Sequence, residues 1–191
     1  MATEVEQHVS VENESGIGWI RFNRPEKMKM PKPVIAAMNG PAVGIGASFA
    51  LACDIRIGTP ESYILEAFVN IGLAPDGGVS WLLPRLAGTG VAYEMFFTGK
   101  PLSAADAHRL GVINRIVPAE RLEEEVRDLA NQLVAQPRQA LAGAKRSVNH
   151  ALVSSYEDAM EFESYLQEAQ AASSEFAEGV QAFLARRLAK K

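Results

Sequence analysis

Cysteine is almost absent from this 191-residue chain, where Cys53 stands alone. No internal disulfide can form, and a reducing, cytoplasmic compartment is expected. Histidine is nearly as scarce: His8, His108 and His150 lie far apart. One cysteine and scattered histidines make no Cys/His ligand set, so no metal is expected. Positive charge is not in excess either. Against 19 Lys and Arg stand 23 Asp and Glu, a formal charge of -4. No broad nucleic-acid-binding face is expected from that balance. A long uninterrupted hydrophobic run is missing too. The longest apolar stretch, "PVIAAMNGPAVGIGASFALAC", is broken by Asn39, Gly40, Pro41 and two further glycines. It reads as a buried strand, a turn and a helix, not a membrane span. The opening "MATEVEQHVSVENE" is acidic and polar, unlike a signal peptide.

What is present is ordinary globular composition, 48% hydrophobic and 22% charged. The length suits one substantial domain, or one domain with a helical appendage. "HVSVENE" and "IGWIRF" alternate on either side of "SG" and predict a hairpin. "PVIAAM" predicts a short strand closed by the turn "NGP". "ASFALAC" is apolar on all sides and predicts a fully buried short helix. "DIRIG" and "SYILEAF" predict further strands, and "GGVSWLLPRLAG" and "GVAYEMFFTG" short helices. In "SAADAHRLG", Ser103 and Asp106 stand at capping-box spacing with Gly111 at the stop. After one more strand, "VINRIV", only helices are expected beyond Pro118. One of them, "SYEDAMEFESYLQEAQ", carries two apolar stripes. Tyr156, Met160 and Leu166 form one, interrupted by Glu163; Phe162, Tyr165 and Ala169 form the other. A helix of that kind suits packing on two bodies.

Two stretches carry candidate chemistry. In "GPAVGIGASFALACD", Gly44 and Gly46 bracket Ile45 at a helix start. Free backbone N–H groups and a positive dipole end there can hold a developing oxyanion. The same glycines also suit close strand–helix packing, and the residues alone leave both readings open. A dinucleotide fingerprint is excluded because Phe49 stands where its third glycine belongs. A nucleophile elbow is excluded because Ser48 is followed by Phe49 and Ala50. Ser48 and Cys53 read as packing residues, and no acidic or nucleophilic partner can be assigned to His108. The second stretch is "NIGLAPDGGVSWLLPR". Asp76, in a stiff turn between Pro75 and two glycines, reads first as a helix N-cap. It reads also as a carboxylate partly desolvated by its apolar neighbours, which raises a pKa and suits proton shuttling.

Together "GWIRFNRPEKM", "KPVIAAMNGPAVGIGASFALACDIRI", "NIGLAPDGGVSWLLPRLAG", "TGKPLSAADAHRLGVINRIV" and "EGVQAFLARR" resemble the crotonase (enoyl-CoA hydratase/isomerase) superfamily in the expected order. "GLAPDGG" is similar to its isomerase branch, especially the phenylacetyl-CoA-pathway epoxide and enoyl-CoA isomerases. The resemblance implies an α/β fold. Residues 1–117 would form a spiral of ββα turns bearing the CoA-thioester site. Residues 118–191 would form a helical region that packs in trimers or hexamers. It implies an oxyanion N–H at Ile45 and a proton-transfer carboxylate at Asp76. Substrate contacts would come from Lys27, Met28, Val43, Gly44 and Gly46, and from Ala67, Phe68, Gly72 and Pro75. The ligand would be an acyl-CoA thioester, with coenzyme A part of the substrate and no separate cofactor.

Hydratases of the family carry two glutamates, and the matching positions here are Ser48 and Phe68. That favours double-bond migration, or ring-epoxide rearrangement, over hydration. One segment departs from the pattern. Where the family has a helix, a strand and an S-A-G-x-D loop giving the other oxyanion N–H, Met28 is followed at once by Lys29. The junction reads as two ends joined across a missing stretch, or as a true deletion. A true deletion would favour a non-catalytic CoA-binding or interaction protein, whereas hydratase is the alternative within the family.

Overall fold

The computed structural model describes residues 9–14, 17–22 and 31–188, the first two stretches by their backbone alone. Residues 1–31 and 32–191 are separate compact units. In the first, β1 (Val9–Glu14) and β2 (Ile17–Phe22) pair antiparallel, with Val9 opposite Phe22 and Glu14 opposite Ile17. This is the hairpin that the alternation predicts. Lys27, Met28 and the Met28–Lys29 junction lie outside the described residues.

The second unit winds between two small sheets. The strand β3 (Ile35–Met38) is followed by β4 (Pro41–Val43) and helix α1 (Ile45–Ala52). Strand β5 (Ile55–Gly58) then returns parallel beside β3, and β6 (Tyr63–Leu65) parallel beside β4. Successive strands thus join alternate sheets, which is the ββα spiral the resemblance implies. The chain continues through a 3-10 turn (Phe68–Ile71), α2 (Val79–Ala87) and α3 (Thr89–Thr98). Strand β7 (Leu102–Ser103) adds antiparallel to β6, and after α4 (Ala104–Arg109), β8 (Arg115–Ile116) adds parallel to β5. "SYILEAF" is therefore a strand only to Leu65. Ser103 caps α4 as the spacing suggests: its Oγ accepts the Asp106 N–H at 3.2 Å and donates to the Asp106 carboxylate at 2.8 Å.

Beyond Pro118, apart from a short 3-10 turn, come α5 (Leu122–Val134), α6 (Arg138–Ala151), α7 (Tyr156–Ala171) and α8 (Ser174–Leu188). The main core gathers α1, α2, α3 and α4 around Ile64, Val79, Leu83 and Ile113, all fully buried. A second core lies where Leu122 and Leu129 of α5 cover Ile57 of β5. Burying each such side chain is worth about 1.5–3 kcal/mol. Two polar clasps lock the spiral. Arg56 is buried and donates to the backbone carbonyls of Val112, Leu51 and Cys53. Lys145 of α6 pairs with Asp54 at 2.7 Å, and Asp54 also accepts the Val34 N–H at 2.7 Å.

Two expectations need correction. The helix α1 is not buried all round: Ile45 and Phe49 are exposed, because only one face of so short a helix reaches the core. The α7 stripes do not act as stripes either. Tyr156 and Met160 are exposed while Leu166 is buried. Phe162 turns inward to stack on His150 of α6, ring centroids 4.2 Å apart.

Candidate active site

Three stretches meet at the N-terminal end of α1. Gly44 is its N-cap, with φ 52° and ψ -121°, a backbone state that glycine adopts without strain. Its N–H donates to the Leu65 carbonyl at 2.9 Å, tying the glycine-rich turn to the end of β6. The Phe68 ring packs on it, its Cζ 3.6 Å from where a Cβ would stand. Ile45 opens the helix. Its N–H lies in the first turn, where no carbonyl of the helix can accept it. Among the described residues no atom outside the helix's own backbone lies within 4 Å of a Cβ built on Gly46, so they leave the helix start open on that side.

The Asp76 turn closes onto the same place. Ser48, buried one turn into α1, donates its hydroxyl to the Asp76 carbonyl at 3.3 Å. Gly77 follows with φ +63°, and a Cβ there would fall 2.7 Å from Ser48 Oγ and 2.8 Å from Ile45 Cδ1. Only glycine permits that approach. Val43, Gly44, Ile45, Phe68 and Asp76 are thus gathered in one neighbourhood. Ala67 is the N-cap of the 3-10 turn and Gly72 its left-handed C-cap, φ 73°. Their part is to turn the chain from β6 toward Pro75, which is partly buried. Ser48 is the packing residue the sequence suggests. Cys53 is only partly buried, with its thiol donating to the Phe49 carbonyl at 3.3 Å and raised in pKa, chiefly by burial. His108 is held by the Ile113 carbonyl at 2.9 Å from Nδ1.

Asp76 departs from expectation twice. It is not the cap of α2: Gly78 holds that position with no side-chain cap bond. Asp76 contributes its backbone carbonyl instead, accepting the Val79 N–H at 3.2 Å. Gly77 and Gly78 both have positive φ, and that left-handed path stands between the carboxylate and the first helical turn. Nor is Asp76 enclosed. It is exposed, and so are Ile71 and Leu73. Neighbours in sequence surround a side chain only where the backbone aims them at it, and this turn carries them outward.

The desolvated acid is Glu66. It is 1% exposed, and neither carboxyl oxygen has a hydrogen-bond partner among the described residues. Burial first, and then the negative charge of Asp76, push its pKa up from 4.5 to about 7. The signal lay in "YILEA": Glu66 stands two residues after Ile64, on the inward parity of β6.

Away from this cluster, a hollow of about 590 Å³ lies between α6, α7 and α8, lined by Ala140, Phe176, Val180 and Phe183. None of the expected site residues that are described borders it.

A family model described as enoyl-CoA hydratase/isomerase matches residues 26–190. The 1,2-epoxyphenylacetyl-CoA isomerase of Escherichia coli K12 is 40% identical over 175 residues, 90% of this chain and 67% of that protein. A probable enoyl-CoA hydratase of Rhodobacter capsulatus is 38% identical over 157 residues, 82% of this chain and 61% of that one. Among solved structures, enoyl-CoA hydratase subunit I of Geobacillus kaustophilus superposes with a TM-score of 0.81 at 35% identity. That match covers 84% of this chain and 63% of the other. The chain spans between 61% and 67% of the length of these proteins.

Proposed function

The chain belongs to the enoyl-CoA hydratase/isomerase family, with the crotonase fold, and from that premise we propose that it is an acyl-CoA isomerase. The substrate is an acyl-CoA thioester whose carbonyl oxygen accepts the Ile45 N–H. As the enolate forms, charge grows on that oxygen, so the contact strengthens toward the transition state. Asp76 takes a proton from one carbon and returns it to another. The double bond shifts, and the carboxylate ends as it began. A ring-epoxide substrate would open through the same enolate. No metal or redox cofactor enters, and coenzyme A belongs to the substrate.

The observation that carries this reading is the joint between the two elements. Ser48 and Gly77 fix the Asp76 turn on the first turn of α1, so acid and oxyanion donor share one scaffold. Val43, Gly46 and Phe68 border that spot and are assigned to the acyl group. Residues 1–117 are assigned the site and residues 118–191 the assembly. Tyr165, Phe176, Phe183 and Leu184 are exposed on α7 and α8, and a trimer or hexamer would cover them. No described helix is long and apolar enough to cross a membrane, and a cytoplasmic location is assigned.

Hydration is the second reading, favoured by relatives named hydratases and by the second acid, Glu66. The products separate the two. A 3-enoyl-CoA should become its 2-enoyl isomer, and Asp76→Asn should slow this by ~10²–10⁴ while CoA binding persists. An Asn variant near the wild-type rate would overturn the role of Asp76. Crotonyl-CoA hydration at a typical turnover of about 10 per second would move the reading to hydratase. CoA binding with no turnover of either substrate would move it to a non-catalytic binding protein.

A further inference from the structure

Among the described residues, Glu66 is the titratable group at the site that the mechanism above leaves without a task. A carboxylate with no partner in an apolar interior costs several kcal/mol, and such a group takes up a proton instead. Among the described residues no cation is placed to prevent that. β4, β7, α1 and the 3-10 turn around Glu66 carry no ionisable side chain. On α4, which packs on β6, Asp106 and Arg109 pair with each other at 3.0 Å, and His108 is bound to Ile113. On α2, Arg85 lies over the Trp81 ring, 4.0 Å from its centre. Among the described residues, the charge that acts on Glu66 is that of Asp76.

We propose that Glu66 is a positioning residue that carries a proton beside Asp76, so that the two carboxyls hold one negative charge between them. The geometry gives the reason. Glu66 follows Leu65, whose carbonyl holds Gly44, and Gly44 precedes the oxyanion donor Ile45. A neutral acid there leaves Asp76 as the base and adds nothing to oppose the enolate. Once ionised, Glu66 sets a second negative charge against the enolate and against the carboxylate form of Asp76. Both effects slow proton removal, so kcat falls while KM is little changed.

This inference rests on Asp76 being the base, and its test has one arm that needs no substrate. Infrared difference spectra taken on either side of neutrality should show the C=O band of a buried protonated carboxyl in wild-type protein. That band should be missing in Glu66→Gln and retained in Asp76→Asn. In the second arm, kcat for isomerisation should fall with rising pH through a break near neutrality to a lower plateau. In Glu66→Gln the break should disappear. If that variant fails to fold, the wild-type band and the Asp76→Asn spectrum still decide. Absence of the band, or an unchanged break in Glu66→Gln, would overturn the proposal. A band without isomerase turnover would leave the protonated Glu66 standing and sink the isomerase reading.

Discussion

Replacing Glu66 by glutamine should change how the stability of this protein depends on pH. In the unfolded chain the carboxyl titrates near 4.5, and in the folded chain near 7. Between those values the unfolded state has released its proton and the folded state has kept it. Stability therefore falls as pH rises through this window, because the native state binds more protons. Below the window both states are protonated and the contribution is complete. Above it both are ionised and the contribution is gone. At about 1.4 kcal/mol per pH unit, the loss across the window is roughly 3 kcal/mol. That is a large share of a domain's usual stability of about 5–15 kcal/mol. Asp106 does not mimic the effect. Hydrogen bonds from Ser103 and then Arg109 hold it below the usual carboxylate range, so it titrates beneath this window. The assay is urea unfolding at a series of pH values and one fixed protein concentration, since assembly adds its own mass-action term. Wild-type stability should decline across the window, and Glu66→Gln should decline much less. The unpaired amide of glutamine carries a penalty of its own, about 1–3 kcal/mol, but that offset is the same at every pH. A variant with the wild-type slope would show that another group is responsible.

Gly77→Ala should cost about 1–2 kcal/mol in unfolding free energy from its left-handed backbone, and kcat should fall more than that suggests. The added Cβ would push Ser48 and Ile45 apart, and a kcat/KM close to wild type would contradict the shared scaffold. Ser48→Ala should be mild for stability, because the Asp76 carbonyl keeps the Val79 N–H. Its kcat should still drop, since the turn loses its tie to α1; stopped-flow kinetics beside thermal melts would separate the two effects. Ending the chain after Val153 should abolish both assembly and activity. Leaving Tyr165, Phe176 and Phe183 uncovered would cost about 1.5–3 kcal/mol each. Light scattering that gives a monomer mass for the intact, active chain would refute the trimer or hexamer.

Much of the order of elements was legible in the sequence because local rules govern it. Alternation on either side of "SG" makes the first hairpin, and Ser103 with Asp106 caps α4 as the spacing requires. The motifs "GIG" and "PDGG" marked the two turns that meet at the site, since only glycine reaches those backbone states. What local rules cannot carry is which way a side chain ends up facing. Asp76 looked enclosed because apolar letters stand beside it, yet its turn leaves it in water. Glu66 looked like one polar letter in a strand, yet Ile64 and Glu66 share the face that the core covers. Phe162 looked like part of one stripe with Tyr165, yet Phe162 packs on His150 while Tyr165 stays exposed. Burial is a property of everything that arrives from elsewhere in the chain, so only the tertiary structure could decide which of the two acids at the site loses its water.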